Sequence, residues 1–338
     1  MRTITWLMAA LVAASFSLCL AVVAQTVSVE TIVEALGFGA DQRAKLQAGE
    51  IVSSEIEEST EKQLGVALAL KVPATLDDIA ESVTSGTTMA ASPQIKASGR
   101  IDPAQLDRAF GGVTLEADEV AKLLDVEPGS TFNLSADEIV VFQDLAKQYK
   151  AGDPAAAEAV NAAYRQVLAG RTQAYLEHGL DGIAAYDRGD GDTSSAADDL
   201  RSAAEASKLV QQAVPDLYQA FVGYPGQAVD GVEQEFHWTK QIADDRPVYL
   251  LTHRMLQRKP DVLVLLSRDF YVGHSFNDSQ AAAGALPVND GVVIFYANRT
   301  ASDQVAGFMS SMRHSIGRGM MRDSLVEAME EIRTTWQR

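Results

Sequence analysis

Leu64-Gly65-Val66-Ala67-Leu68-Ala69-Leu70-Lys71-Val72 alternates large aliphatic side chains with small or polar ones until Pro73 stops the pattern. A period of two makes this a strand with one buried face, carried by Leu64, Val66, Leu68, Leu70 and Val72. Thr75 and Asp78 then form a capping box, and Leu76, Ile79, Ala80 and Val83 follow at helical spacing as far as Gly86. Ile95 to Ile101 alternates once more, so residues 63–101 read as strand, helix, strand.

Beyond this unit the texture changes. Residues 103–225 read as a helical layer, without an internal repeat. Asp102-Pro103 and Thr114 mark the starts of short helices, and Ser135 with Glu138 makes a second capping box. Gly152-Asp153-Pro154 combines a helix stop, a cap and a first-turn proline. The helix after it aligns Val160, Tyr164, Val167, Arg171 and Tyr175 on one stripe, and another helix spans 196–212. From Glu235 the period returns to two, with strands near 235–240, 248–253, 262–272 and 292–297. Asp244-Asp245, Lys259-Pro260 and Asn289-Asp290-Gly291 supply the turns of an antiparallel meander. The end is helical, with Val305, Phe308, Met312, Ile316 and Met320 on one stripe continued by Leu325, Met329, Ile332 and Trp336. Gly317 and Gly319 mark a kink or a close contact. On the N-terminal side, 28–48 reads as one or two short helices, the second capped by Asp41, and the chain turns extended near Ile51-Val52.

The N-terminus carries an address. Met1-Arg2 is followed by an almost wholly apolar run from Trp6 to Val23, then by Val22-Val23-Ala24 and the polar Gln25-Thr26. This is the order of a signal peptide over 1–24, leaving residues 25–338 as a single α+β domain. An uncleaved anchor is the alternative for a run near the roughly 18–20 residues needed to span, but alanine richness and the small-residue end favour cleavage. Cys19, the sole cysteine, follows the bulky Leu18, which argues against lipidation. Cleavage removes it, and with it disulfides, cysteine nucleophiles and thiolate metal sites. The expected location is periplasmic or secreted in a bacterium, with no stable membrane span after cleavage. With 28 Lys+Arg against 46 Asp+Glu, the net charge is -18. Such a balance disfavours nucleic acid and anionic headgroups as general partners.

The element order (strand, helix, strand, meander, long C-terminal amphipathic helix) resembles the helix-grip fold of the START-like superfamily over residues 63–101 and 235–338. That resemblance implies an antiparallel sheet gripping the last helix, a cavity between them and a hydrophobic ligand. The helical insertion at 103–225 departs from it. Leu46–Val52, Leu134–Ile139, Phe270–Phe276 and Ser315–Gly319 are similar to segments of an uncharacterised family of exported bacterial proteins, which implies export but no activity.

Motifs for chemistry are scarce. His178, His237, His253, His274 and His314 show no metal-ligand spacing, so no metal or cofactor is expected. In Asp187-Arg188-Gly189-Asp190-Gly191-Asp192 glycines stand where a calcium loop needs oxygen ligands, leaving an acidic flexible connection. No Gly-x-Ser-x-Gly, phosphate loop or His-Glu-x-x-His occurs, so no catalytic residue is assigned. Asn133, Asn277 and Asn298 head glycosylation sequons that carry no weight in a bacterial setting. Two groups are candidate ligand contacts. His314, Arg318 and Arg322, with Arg313 beside them, recur every four residues on one helix face, either toward an anionic headgroup or pairing with acids such as Asp303 or Asp323. Tyr271 and His274 stand where an apolar strand gives way to a polar turn, a common place for a binding-site mouth.

These features point to a non-enzymatic exported protein that binds a hydrophobic or amphipathic, lipid-like small molecule. An envelope scaffold or protein-interaction role is the alternative, its partner unknown. An enzyme of unknown class comes third, and would need the two candidate groups to converge.

Overall fold

The computed structural model describes residues 28–86, 94–129, 132–226, 228–243, 245–307 and 309–336. The segment read as a signal peptide, Cys19 and Phe308 lie outside them. Among the described residues no helix is long and apolar enough to cross a membrane.

An eight-stranded antiparallel sheet forms the centre. Its strands are β1 (Val52–Glu55), β2 (Gln63–Val72), β3 (Ile95–Ile101), β6 (Val232–Ala243), β7 (Arg246–Lys259), β8 (Val262–Val272), β9 (Asp278–Val288) and β10 (Gly291–Ala301). The spatial order is β1-β2-β10-β9-β8-β7-β6-β3. The meander therefore runs between β2 and β3, which are adjacent in sequence but far apart in the sheet. The 103–225 segment instead joins β3 to β6, which are neighbours in the sheet, and the expected α+β architecture is what the chain adopts.

The alternation that opens the strand–helix–strand unit holds, but its meaning differs from the expectation. Both faces of β2 are covered. Val66, Leu68, Leu70 and Val72 pack against α3 (Leu76–Thr84) and the last helix, α11 (Ser310–Trp336), through Leu76, Ile79, Leu325 and Met329. Ala67 and Ala69 are equally buried on the other face, under Ile32, Val33 and Leu36 of α1 (Val29–Ala35). Large alternates with small here, not apolar with polar, because helices lie on both sides. Fully burying each large aliphatic side chain stabilises by about 2 kcal/mol, so the leucine face dominates the energetics while the alanine face sets the shape.

The helical layer sits on that alanine face. It contains α4 (Leu106–Ala109), α5 (Ala117–Leu124), α6 (Ala136–Ala146), α7 (Pro154–His178), α8 (Ala196–Ala206), α9 (Lys208–Ala213) and α10 (Pro215–Val222). Both capping boxes form. Thr75 accepts from the Asp78 amide, and the Asp78 carboxylate accepts from the Thr75 amide; Ser135 and Glu138 repeat the exchange at α6. Asp153 caps α7 ahead of Pro154, and the whole predicted stripe from Val160 to Tyr175 is buried. Elsewhere the boundaries move. Gly39 caps α2 (Ala40–Gln47), leaving Asp41 in its first turn. Glu116 caps α5, because the Thr114 backbone is engaged by the Tyr249 hydroxyl. The helix expected over 196–212 breaks at Ser207 into α8 and α9.

Two further expectations are overturned. Residues 187–192 are not a flexible connection but the tip of a hairpin, β4 (Tyr186–Gly189) with β5 (Asp192–Ser194). Asp190 and Gly191 both have positive φ, the geometry that an Asp-Gly hairpin turn favours. The C-terminal stripe is overturned in its first half only. Met312, Ile316 and Met320 are exposed, whereas Met329 is buried and Leu325, Ile332 and Trp336 pack partly buried as expected, joined by Met321 and Gly317. A Cβ on Gly317 would stand 2.8 Å from Leu64 Cδ1, so this glycine serves close approach of α11 to β2. Gly319 faces open space.

Candidate functional site

The six candidate residues fall into two separate groups. Tyr271 is fully buried, its ring under the Arg171 guanidinium at 4.5 Å, and burial pushes its hydroxyl up to about 12. His274 is also buried, with Nδ1 2.8 Å from Ser275 Oγ and Nε2 2.7 Å from the Pro247 carbonyl. Neither lines a mouth; both lie beneath the helical layer. On α11, His314 and Arg318 do turn toward the sheet side, but acids of the β1–β2 connection meet them there. His314 Nδ1 lies 3.0 Å from Glu58 Oε2, and Arg318 Nη1 donates to Glu58 Oε1 at 3.1 Å. Arg313 donates to the Gln304 and Ala306 carbonyls, and Arg322 to Asp323. This is the ion-pairing alternative, with Glu58 in place of Asp303. The convergence that an enzyme reading requires is not formed among the described residues.

Between α11 and the sheet, Met321, Leu325, Val326 and Met329 pack in one cluster with Val66, Leu68, Leu70 and Val72. A cavity of about 370 Å³ opens instead on the opposite face, between α1, the α8–α10 stretch and strands β8–β10. Its origin is legible in the strand registers. Phe295 stands opposite Ala69 and Gly284, and Ala297 opposite Ala67 and Ala282, so Phe295 is flanked by small residues, and those of β9 and β10 floor the cavity. Val264 and Leu266 continue the floor onto β8, while Leu36, Val210, Val214 and Phe221 form walls. Small floor residues under a helical roof leave unfilled volume, of the size range that holds small ligands.

Two of its polar groups come from the next row of the sheet. Arg299 and Gln280 are register partners, and both line the cavity. Arg299 donates to the Glu57 carbonyl through Nε at 3.2 Å, to Ser207 Oγ through Nη1 at 3.2 Å, and to the Ala206 carbonyl through Nη2 at 3.3 Å. Its burial lowers its pKa from the ordinary arginine value. Gln280 is 7% exposed, and its Oε1 has no hydrogen-bond partner.

Comparison with protein-family models, curated proteins and solved structures found no match. The cavity is therefore read from its own geometry.

Behind Phe221 lies a buried aromatic nest. His253 is fully buried, 4.5 Å from the Phe236 ring in a stacked arrangement, with Nδ1 2.8 Å from the Tyr175 hydroxyl. Burial, helped by nearby Arg268, holds its pKa well below the usual histidine value, so it is neutral. Arg268 stacks on Phe221 with its guanidinium carbon 3.7 Å from the ring centroid and donates to the Phe221 carbonyl at 2.5 Å. Among the described residues no group of three or more His, Cys, Asp or Glu could hold a metal ion.

Sequence reasoning assigned none of these cavity residues. Arg299 lies just past the strand read as 292–297 and figured only in a sequon. Gln280 belongs to β9, which the meander reading omitted because Ala281-Ala282-Ala283-Gly284-Ala285 has little strand propensity. The usable signal was that small-residue run between two strong strands.

Proposed function

We propose that this chain is an exported, non-enzymatic binding protein for a hydrophobic or amphipathic small molecule, held in the cavity between the sheet and the α1/α8–α10 roof. One observation carries this reading: an apolar pocket whose floor includes the alanine and glycine run Ala281–Gly284 of β9 and Ala297 of β10. A core optimised for stability alone would fill that volume, since each unfilled methyl-sized void costs about 1 kcal/mol. The signal-peptide pattern supports export, and the mature chain is then expected to begin at Gln25. The test is native mass spectrometry of the protein purified from its source without detergent. Bound lipid-like mass released on denaturation supports the reading; a protein that neither carries nor takes up such a molecule overturns it.

A protein-interaction role draws on a different observation, the exposed line of Met312, Ile316 and Met320 on α11, each more than half exposed. The helical layer, where the sequence placed that role, exposes Val140 and Val141 among its large apolar residues.

A further inference from the structure

The cavity's polar end has a chemical preference of its own. Arg268, Gln280 and Arg299 occupy one row across β8, β9 and β10 on the cavity side of the sheet. Both guanidinium groups are bonded to neutral acceptors. Arg299 has three, two carbonyls and one hydroxyl, and Arg268 donates to the Phe221 carbonyl. An arginine carries five N–H donors. Three bonds, one from each nitrogen, leave Arg299 with one unused hydrogen on each terminal nitrogen. Beside it stands Gln280, buried, with its amide oxygen unpartnered. A terminal amide can turn over and present its NH2 at the same place. In a chain of net charge -18, two positive groups on one sheet row are thus held without a carboxylate hydrogen-bonded to either. The other ionisable side chains that line the cavity are Glu55, Glu57, Lys208 and Tyr218. Glu57 meets Arg299 through its main-chain carbonyl, while its side chain is exposed.

We infer that the cavity selects amphiphiles with a carboxylate head, which Arg299 and Gln280 bind while the apolar tail lies over Ala282, Gly284 and Phe295. This rests on the binding-protein reading and sharpens it to a ligand class. A planar carboxylate matches the paired N–H groups of a guanidinium, and it supplies the negative charge that the row lacks. The tail replaces unfilled space by contact.

Displacement of the neutral fluorophore N-phenyl-1-naphthylamine tests the head-group assignment. Dodecanoate, dodecanol and dodecyl phosphate are compared as competitors at pH 7.5. Because a hydrogen bond to a charged group contributes roughly a tenfold change in affinity or more, dodecanoate is expected to displace the dye at about tenfold lower concentration than dodecanol. That ratio is expected to fall toward one in Arg299→Met and to fall partway in Gln280→Leu. The second variant matters because Arg299 also ties β10 to α8. Equal competition by acid and alcohol in the wild-type protein, or an acid advantage that survives Arg299→Met, overturns the assignment while leaving the cavity reading intact. Stronger competition by dodecyl phosphate overturns the carboxylate class. Failure of the dye itself to bind overturns the cavity reading as well.

Discussion

Glu138 connects two of the sequence's strongest local signals. Its carboxylate accepts from the Ser135 amide at 2.7 Å, closing the capping box of α6, and from Arg171 Nη2 at 2.5 Å. Arg171 is buried, with its guanidinium over the rings of Tyr271 and Tyr186. Removing one partner of a buried pair strands the other charge, which costs about 3–5 kcal/mol. Glu138→Gln is expected to lower stability in urea by about 3 kcal/mol, and adding Arg171→Met is expected to recover part of that loss. Additive losses in the double mutant would show that the pair is not coupled. Cap and stripe were each legible from spacing, but their meeting was not, because 33 residues of chain separate them. Tyr271 was singled out at a mouth and is instead the surface on which Arg171 rests. Its hydroxyl belongs to the core, and only the packing of α7 over β8 could reveal that.

At the scale of elements, the reading of α11 held in part. Helical spacing put Met312, Ile316 and Met320 on the same stripe as Leu325, Met329, Ile332 and Trp336, but the first three are exposed. The helix actually uses Gly317 to approach Leu64, and the stripe that follows it is the packed one. Gly317→Ala and Gly319→Ala separate the two roles. A helical Gly→Ala gains about 0.5–1 kcal/mol when nothing is in the way. Gly319→Ala is expected to raise the melting temperature, since nothing lies within 4 Å of its added methyl. Gly317→Ala is expected to be neutral or destabilising, because Leu64 must move. Equal stabilisation by both would contradict the docking of α11. The long apolar strands, by contrast, were legible from period alone. β9 was not, since alanine and glycine give no periodic signal and only pairing with β8 and β10 makes the segment a strand.

For the molecule as a whole, the sheet divides the labour between its faces. One face carries leucine and valine beneath α3 and α11 and is densely filled. The other carries alanine and glycine beneath α1 and the α8–α10 stretch, and there the space remains. The layers were legible in the sequence, whereas the 370 Å³ cavity opens on the face opposite the one that the resemblance implied. The helical insertion, which looked like a departure from a helix-grip arrangement, is what roofs the cavity. The central claim is that this volume receives a ligand. Gly284→Phe tests it most directly, because Gly284 lines the cavity and the nearest atom to an added Cβ is the Leu263 carbonyl oxygen at 3.9 Å. The side chain can enter the cavity without backbone strain. In a fluorescence titration with N-phenyl-1-naphthylamine, alongside a thermal melt, the account predicts that the variant folds and binds the dye at least about tenfold more weakly, a change of about 1.4 kcal/mol. A folded variant that binds the dye as the wild type does would contradict it.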